Sequence, residues 1–425
     1  MSHSCSFYIK RKQRYCRLET ARGNSFCGEH LNLSEDASLP RKRIPCPYDS
    51  HHTVYEDQLE KHKKRCNARP STSKPAYYKE GVNAGFSDYT EADDNKMPLS
   101  CVSKSRLVEL IQRIREVAKS RLPEIETSVL SHPVMQDEVD KAVDCPNARK
   151  HLEQQSSLLG HMDELKLLSG QTTFVEFGAG RGQLSHWVEK AMGDEVSVKY
   201  VLVDRKNCRR KFDLYHKHHG PKFHRLLIDI EHLLLTEVDC ICQQNFSAIV
   251  GTTKHLCGSA TDLALRCLIS TLSELSLTTT SDSPLAKRMK PSGPTETINS
   301  SLRGLVFALC CHHKCTWKDY VGHDVWNELG FNNDDFHLMT LMSSWATCRI
   351  RSATESDCRA DGEADQSVKH PMSVAEREEI GYMCKRLIDY GRVVYLSKFG
   401  LTSKLVHYVP KATTLENTAL LASFT

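Results

Sequence analysis

The sequence lacks both an apolar run long enough to cross a bilayer and an apolar leader. A membrane-spanning helix needs about 18 to 20 consecutive apolar residues, and no stretch of this chain approaches that length. The N-terminal residues mix Ser, His and Cys with Lys10-Arg11-Lys12, which is not the apolar core of a signal peptide. We therefore expect an intracellular protein, in the nucleus, the cytoplasm or both, with no membrane partner.

A large net charge is also missing, because 57 Lys and Arg face 53 Asp and Glu, which gives +4 at pH 7. The positive charge is nevertheless concentrated near the N-terminus, in Lys10-Arg11-Lys12, Arg41-Lys42-Arg43 and the run from Lys61 to Arg65. A basic segment beside a near-neutral remainder indicates an anionic partner, with nucleic acid the first candidate. For any single cluster, a solvated surface is the alternative.

The 18 cysteines are expected to be thiols or metal ligands, since a reducing compartment disfavours disulfides. Two sets of four Cys and His lie in the segments 1–35 and 43–68, and each offers the ligands of a closed tetrahedral zinc site. Segments this short bury little apolar surface, so metal binding would supply folding free energy. The sets are Cys5, Cys16, Cys27 and His30, and Cys46, His52, His62 and Cys66.

The second set has the more specific spacing. Residues 59–66 read as a short basic helix that places His62 and Cys66 at i, i+4, on one face. The adjacent His51 could take the place of His52. We prefer His52 because its spacing resembles the CHHC fingers of RNA-associated proteins.

The stretches between these motifs divide the chain further. Residues 69–100 are polar and aperiodic, which predicts a linker. Residues 101–170 form a helical bridge, with helices expected over 103–120 and 147–168 from their apolar periodicity. Flexible insertions are expected near 277–301 and 352–371, and the basic group Lys287–Lys290 is a candidate nuclear-localisation signal.

A glycine-rich turn follows a predicted buried strand, Phe174 to Phe177, and precedes a helix that starts at Gln183. Strand, glycine turn and helix together are how α/β sheets bring backbone close to a nucleotide-like ligand. The dinucleotide fingerprint G-x-G-x-x-G fits imperfectly, because the third glycine comes one residue early. The residues of the turn and of the acid before it are Glu176, Gly178, Gly180 and Gly182.

Strand and helix patterns continue to alternate after the turn, which predicts a mostly parallel sheet. Asp204 ends the second strand, 196–203, where an acid suits the ribose hydroxyls of a nucleoside ligand. Asp229 lies near the end of the third strand, 223–230, and could contact the base or cap a helix. The fourth and fifth strands are expected at 246–251 and 305–309.

Two loops after these strands carry reactive side chains. Residues 252–258 follow the fourth strand and include Lys254 and His255, which should face a ligand bound at the strand ends. Residues 310–315 follow the fifth strand with three Cys and two His, which we interpret as pocket lining in preference to a metal site. After a helix at 373–390, the runs 393–396 and 405–409 around Gly400 are expected to form an antiparallel pair.

The motif Glu-x-Gly-x-Gly-x-Gly at 176–182 resembles the first motif of class I S-adenosylmethionine-dependent methyltransferases, and Val203-Asp204-Arg205 is similar to the second. Two Cys/His sets, this motif, Lys-His-Leu-Cys-Gly and Cys-Cys-His-His-Lys-Cys occur here in one order. Together they resemble the eukaryotic tRNA 2′-O-methyltransferases that modify the fourth nucleotide of the acceptor stem. The resemblance implies an α/β class I (Rossmann-like) domain over 171–411, preceded by CCCH and CHHC zinc fingers.

The resemblance also implies a reaction and its participants: methyl transfer from S-adenosylmethionine to a ribose 2′-hydroxyl of the tRNA acceptor stem. The donor would contact Glu176, the three glycines of the turn, Asp204 and Asp229. His255 is our hypothesis for the base that takes the hydroxyl proton, with Lys254 orienting the oxygen or lowering its pKa. Zinc would be structural in both fingers.

Two other functions stay open at this point. The methyl acceptor could be a base nitrogen or a protein, although the Asn-Pro-Pro-Tyr-like loop often used for base methylation is missing here. A zinc-dependent RNA-binding or splicing module with an inactive Rossmann domain would bind no methyl donor. Oligomeric state and tRNA preference do not follow from the sequence.

Overall fold

The structure is a computed structural model, and its chain divides into two compact units, Met1–Pro75 and Ala76–Thr425. Within the described part of the chain, no helix is both long and apolar enough to cross a membrane. The basic clusters at 10–12 and 41–42, the basic group at 287–290 and most of both predicted insertions lie outside the described residues. The residues described are 4–9, 14–20, 24–27, 30, 43–66, 74–85, 97–206, 208, 212, 215–216, 222–242, 248–278, 302–347 and 372–424.

The first unit contains two small antiparallel hairpins. Strand β1 (Tyr8–Ile9) pairs with β2 (Arg14–Tyr15), and β3 (Arg43–Cys46) pairs with β4 (Asp49–Tyr55). Helix α1 (Leu59–Arg65) confirms the short basic helix that the sequence predicts. The buried cluster of the first hairpin consists of three cysteines, and of the described residues only Phe7, Ile9 and Phe26 are apolar side chains packed against it. So little apolar surface favours folding that depends on metal.

The second unit is built on an eight-stranded sheet. Its order is β5-β11-β12-β10-β9-β6-β7-β8, where β6 to β10 are parallel and β12 runs antiparallel to both of its neighbours. The predicted parallel α/β sheet is therefore confirmed. The strands are β5 (Glu126–Thr127), β6 (Thr172–Phe177), β7 (Lys199–Asp204), β8 (Phe223–Leu227), β9 (Ala248–Cys257), β10 (Leu302–Cys310), β11 (Thr402–His407) and β12 (Thr418–Ser423).

Helices cover both faces of this sheet. Because successive strand residues point to opposite faces, Val175 and Phe177 of β6 join one core while Phe174 joins the other. A third core lies among helices, and the predicted helices at 103–120, 147–168 and 373–390 are confirmed as α2, α4 and α10. The helices are α2 (Lys104–Arg121), α3 (Gln136–Lys141), α4 (Pro146–Glu164), α5 (Gln183–Met192), α6 (Asp239–Cys242), α7 (Ser259–Thr278), α8 (His323–Glu328), α9 (Asn333–Ser343) and α10 (Val374–Ser397).

The predicted strand at 393–396 is wrong, because these residues continue α10 to Ser397. The apolar run continues, at helical spacing, the face of α10 that carries the buried Leu387 and Ile388. A run this short does not distinguish a strand from a helix. The antiparallel partner of β11 is instead β12, which lies beyond the predicted domain end at 411. Alanine is depleted in strands, so Thr-Ala-Leu-Leu-Ala-Ser gave a weak strand signal.

The predicted loop at 252–258 is also wrong in its conformation. Strand β9 runs on to Cys257, because its end pairs with β10 as far as the register partners Cys257 and Cys310. Lys254 and His255 therefore lie on an extended strand end. Part of the predicted linker at 69–100 is packed: the Asn83 amide donates to the carbonyl oxygens of Ile230 and Leu233, both at 2.7 Å.

Candidate active site and metal centres

The glycine-rich turn connects the buried strand β6 to α5. Gly178, Gly180 and Gly182 all have positive φ, at 64°, 49° and 73°, a conformation that costs other residues about 1–2 kcal/mol. A Cβ on Gly178 would lie 2.9 Å from the carbonyl oxygen of His255, whereas one on Gly180 would meet nothing within 4 Å. The turn thus touches the end of β9 and leaves open space at its tip.

Asp204 lies at the carboxyl end of β7, next to the turn. Its Oδ2 accepts a hydrogen bond from the Gly180 amide at 2.8 Å, and Oδ1 accepts from the Lys206 amide at 2.9 Å. The Gly180 carbonyl accepts from Arg225 Nη1 at 2.8 Å and from the Cys208 thiol at 2.7 Å. The structure therefore brings the first two motifs together, and Asp204 fixes the conformation of the turn.

Glu176 is buried beneath the turn, on β6. Its Oε2 accepts from the Ser185 amide at 2.9 Å and the Ser185 hydroxyl at 2.5 Å, at the start of α5. Burial raises the pKa of Glu176 to about 7, although the Ser185 hydrogen bonds and Arg225 act in the opposite direction. This carboxyl is therefore poised between its neutral and charged forms near neutral pH.

Asp229 follows β8 and makes two contacts. Its Oδ1 accepts from the Glu231 amide at 3.2 Å and caps the short 3-10 helix Ile230–His232, while Oδ2 faces Arg205 Nη1 at 3.2 Å. The hydrogen bond from Glu231 is the contact that the helix-cap interpretation of Asp229 anticipates.

Lys254 and His255 lie at the end of β9, beside Gly178. Lys254 Nζ donates to Nδ1 of His151 on α4 at 3.2 Å and to the His151 carbonyl at 3.0 Å. The His151 and His255 rings are 6.3 Å apart between centroids. His151 is the residue of this site that sequence reasoning missed; it precedes Lys254 by 103 positions, and no local signal connects the two.

The charges of Lys254 and His255 depend on desolvation. Burial lowers the pKa of Lys254 to about 8, with Glu176 acting in the opposite direction. Burial, with Lys254 and His151 adding to it, lowers the pKa of His255 to about 4. At pH 7 the His255 imidazole is therefore neutral, and the neighbouring Lys254 side chain is an ammonium group that begins to lose its proton just above neutrality.

The first Cys/His set forms a compact group in the N-terminal unit. Zn–S and Zn–N bonds of about 2.3 and 2.0–2.1 Å put the ligand atoms of a tetrahedral site about 3.3 to 3.8 Å apart. Here Cys16 and Cys27 Sγ are 3.9 Å apart, and His30 Nδ1 lies 3.5 and 3.3 Å from the sulfurs of Cys5 and Cys27. The set fits one zinc ion.

The second set has the same dimensions. The Sγ atoms of Cys46 and Cys66 are 3.6 Å apart, and the Nε2 atoms of His52 and His62 are 3.2 Å apart. His62 Nε2 lies 3.1 Å from Cys46 Sγ, and His52 Nε2 lies 3.6 Å from Cys66 Sγ. His52 belongs to this group, whereas the side chain of His51 lies outside the described part of the chain. The set also fits one zinc ion.

The Cys/His-rich segment after β10 divides into two parts. His312 and Cys315 join a buried network on α7 and α10, in which His312 Nε2 lies 2.8 Å from Asp389 and Arg392 Nη2 donates to Cys315 Sγ at 3.3 Å.

Arg392 also donates to Asp262 at 2.6 and 3.1 Å and to Asp389 at 3.0 Å. Although burial opposes its charge, His312 and Arg392 hold the pKa of Asp389 below its usual value. Cys310 and Cys311 lie outside this network.

Comparison with known families places three matches along the chain. Residues 153–423 match the family described as Methyltransferase TRM13. Residues 3–31 match the CCCH zinc finger in TRM13 protein, and residues 43–67 match the U11-48K-like CHHC zinc finger. The zinc-finger matches contain the two Cys/His sets, and the methyltransferase match contains the glycine turn and the Lys254–His255 pair.

Proteins that are similar to this chain over nearly its whole length carry names that agree with these family matches. The mouse and human proteins named tRNA:m(4)X modification enzyme TRM13 homolog are each 39% identical over 98% of this chain and 94% of their own length. The fission yeast protein named tRNA:m(4)X modification enzyme TRM13 is 35% identical over 90% of this chain and 95% of its own. The likeness therefore extends over both compact units.

Proposed function

The chain belongs to the TRM13 methyltransferase family, and we propose that it methylates the ribose 2′-hydroxyl of nucleotide 4 in the tRNA acceptor stem, with S-adenosylmethionine as donor. The relatives are named as tRNA modification enzymes. The observation that carries the proposal is the meeting of the Gly178–Gly182 turn with the Lys254–His255 strand end. A nucleoside-type binding turn and the proposed base, with its neighbouring ammonium group, thereby share one edge of the sheet.

The strand order supports a class I, Rossmann-like domain. Numbered along the chain from β6, with β5 left out, the sheet reads 3-2-1-4-5-7-6, which matches the doubly wound order 3-2-1-4-5 before its antiparallel pair. In such sheets ligands bind beyond the carboxyl ends of the strands, where the order reverses. That switch point is between β6 and β9, the position at which Gly178 approaches His255.

Residues around the switch point would hold the donor. The positive-φ turn allows the donor to approach the backbone, since the space at Gly180 is open. Asp204 and Asp229 would take the ribose hydroxyls and the adenine, and Glu176 in its charged form would attract the ammonium group of the donor. S-adenosylmethionine supplies a methyl carbon activated by its sulfonium, so positioning accounts for much of the catalysis.

The proton of the attacking hydroxyl needs an acceptor. The imidazole of His255 is neutral at pH 7, because its pKa lies near 4, so it can accept a hydrogen bond from the hydroxyl. It would take the proton once bonding to the methyl carbon has made that proton strongly acidic. The ammonium of Lys254, held by His151 at 3.2 Å, would stabilise the negative charge that develops on the oxygen. His151 then acts as a positioning residue.

The N-terminal unit would bind the tRNA. Duplex RNA is recognised mainly by shape and by contacts to phosphates and 2′-hydroxyls, and basic side chains cluster on α1 next to the second zinc set. We assign Cys5, Cys16, Cys27 and His30 to the first zinc ion, and Cys46, His52, His62 and Cys66 to the second.

Single-turnover methyl transfer tests the proposed base. We expect His255→Ala to lower the rate of transfer by about 100-fold or more while calorimetry shows unchanged donor affinity. His337→Ala on α9 is the matched control and should keep the full rate. A full rate in His255→Ala with both substrates bound would remove the proposed role of His255.

Donor binding separates this function from the alternative of an RNA-binding module with an inactive domain. Calorimetry with S-adenosylmethionine should show one site for each chain, and Gly180→Ala should weaken that site strongly. Failure of the unmodified protein to bind the donor would favour the inactive domain.

A further inference from the structure

Three cysteines outside both zinc fingers converge where β9 and β10 end. Cys257 is the last residue of β9, Cys310 is the last of β10, and Cys311 follows it. The two strands are parallel neighbours, and Cys257 and Cys310 are register partners. The three Sγ atoms all lie within 4.8 Å of one another, and those of Cys257 and Cys310 are 3.8 Å apart.

The separation of the Cys257 and Cys310 sulfurs is that of two sulfur ligands on one metal ion, and the Cys311 sulfur lies within 4.8 Å of both. Two thiolates on a tetrahedral zinc ion lie about 3.8 Å apart, given Zn–S bonds of about 2.3 Å. The zinc-finger pairs Cys16–Cys27 and Cys46–Cys66 of this same chain are 3.9 and 3.6 Å apart. We propose that Cys257, Cys310 and Cys311 bind a third zinc ion, in a three-thiolate site that is separate from both fingers.

The backbone has an unusual conformation that brings the sulfurs together. Adjacent residues of an extended strand point to opposite faces of the sheet, so Cys310 and Cys311 could not both face Cys257 in a regular strand. Cys311 instead adopts a left-handed conformation, with φ 54° and ψ 43°, at a cost of about 1–2 kcal/mol for a residue other than glycine.

Neighbouring groups hold this conformation in place. The Cys311 amide donates to Glu416 Oε1 at 3.2 Å, and the next residue, His312, is fixed by Asp389. After Cys257, Gly258 has φ +60°, and a Cβ there would lie 2.5 Å from Lys314. Both chain segments that carry the thiols are therefore restrained, as a preformed site requires.

The donor set favours a thiophilic ion with an open coordination position. Thiolates select zinc over magnesium or calcium. Among the described residues, no fourth Cys, His, Asp or Glu joins this group, and Glu416 is engaged by the Cys311 amide and by Lys385. Cys257 is exposed, so water or an external ligand can reach the fourth position. The proposal does not depend on the methyl-transfer function.

The zinc content of the full chain tests the proposal. Elemental analysis of the purified protein should give three zinc ions for each chain, and both Cys257→Ser and the double variant Cys310→Ser, Cys311→Ser should give two. The double variant Cys101→Ser, Cys145→Ser changes two exposed cysteines elsewhere and should keep three. Two zinc ions in the unmodified protein would overturn the proposal, as would three in Cys257→Ser.

A second measurement needs no variant. Cadmium-113 NMR of the fully exchanged protein should show three resonances, one for each finger and one for the three-thiolate site. Two resonances, or a Cys257–Cys310 disulfide found by mass spectrometry after alkylation without reductant, would contradict a metal site. Donor affinity measured on the same samples shows separately whether the methyltransferase proposal holds.

Discussion

In the proposed function, Glu176 would link the fold of the turn to the binding of the donor. Its buried carboxyl accepts two hydrogen bonds from Ser185, and its pKa is raised to about 7 from an ordinary value of 4.5. A raised carboxyl pKa means that the folded state holds the proton more tightly than the unfolded chain. The contribution of Glu176 to the stability of the unliganded protein is therefore lost as pH rises from about 4.5 to about 7.

Donor affinity should show the opposite trend, since the charged carboxylate is the form that attracts an ammonium group. We expect affinity to rise from pH 6 to pH 8. At pH 8, Glu176→Gln should weaken binding by about 10- to 100-fold, remove this pH dependence and raise the melting temperature of the unliganded protein. Calorimetry and thermal unfolding measure these effects, with Glu109→Gln on α2 as the exposed control. Unchanged affinity in Glu176→Gln would show that the carboxyl serves only the start of α5.

Lys254 gives a second pH-dependent prediction. Burial lowers its pKa to about 8, so the ammonium that we propose to stabilise the developing oxyanion disappears as pH rises through that value. The single-turnover rate should therefore fall above pH 8, whereas Lys254→Arg, which stays charged, should show no such fall. A rate that rises through pH 8 would mean that the neutral Lys254 amine is the base.

At the scale of elements, local sequence patterns predicted the strands and helices whose conformation depends on residues close by in the chain. The β6–turn–α5 unit is as expected, because apolar content, glycine and helical periodicity all lie between residues 172 and 192. The length of β9 and the existence of β12 depend on pairing with β10, which is distant in sequence. The predicted strand at 393–396 is wrong because the helix that contains these residues is defined by packing over its whole length.

The buried ion network that joins α7 to α10 should be a large stabilising element. Arg392 and Asp262 are almost fully buried and share two hydrogen bonds, so removal of the Asp262 charge leaves the buried guanidinium only partly compensated, by Asp389. We expect Asp262→Asn to cost about 3–5 kcal/mol in the free energy of unfolding, measured by urea denaturation. The exposed pair of Asp324 and Lys398 supplies the control, since Asp324→Asn should cost less than about 1 kcal/mol. Equal effects of the two variants would contradict this account.

At the scale of the whole molecule, the sequence predicted both zinc sets and their separation from the sheet, because each set lies within one short segment of the chain. It could not predict that His151 meets Lys254 or that Cys257 meets Cys310, since these contacts form only when distant elements pack. The Cys/His-rich segment 310–315 looked like one feature in sequence. The fold divides it, with His312 and Cys315 in a buried network and Cys310 and Cys311 beside Cys257.

The division into two compact units predicts that their activities are separable. We expect His62→Ala to remove one zinc ion and to lower tRNA affinity by about tenfold or more, while donor affinity stays unchanged. In the unmodified protein, tRNA affinity should fall steeply with added salt, because contacts to phosphates release counterions. Filter binding over a salt series, together with calorimetry, measures both. Binding of tRNA that is insensitive to salt and to His62→Ala would assign recognition to the second unit.

The central claim is methyl transfer to one ribose hydroxyl of tRNA, and mass spectrometry of nuclease-digested tRNA after incubation with isotopically labelled S-adenosylmethionine tests it most directly. The account predicts one labelled methyl group on the ribose of nucleotide 4, and none when that nucleotide carries a 2′-deoxyribose. Label on a base, at another position, or still present in the 2′-deoxy substrate would contradict it.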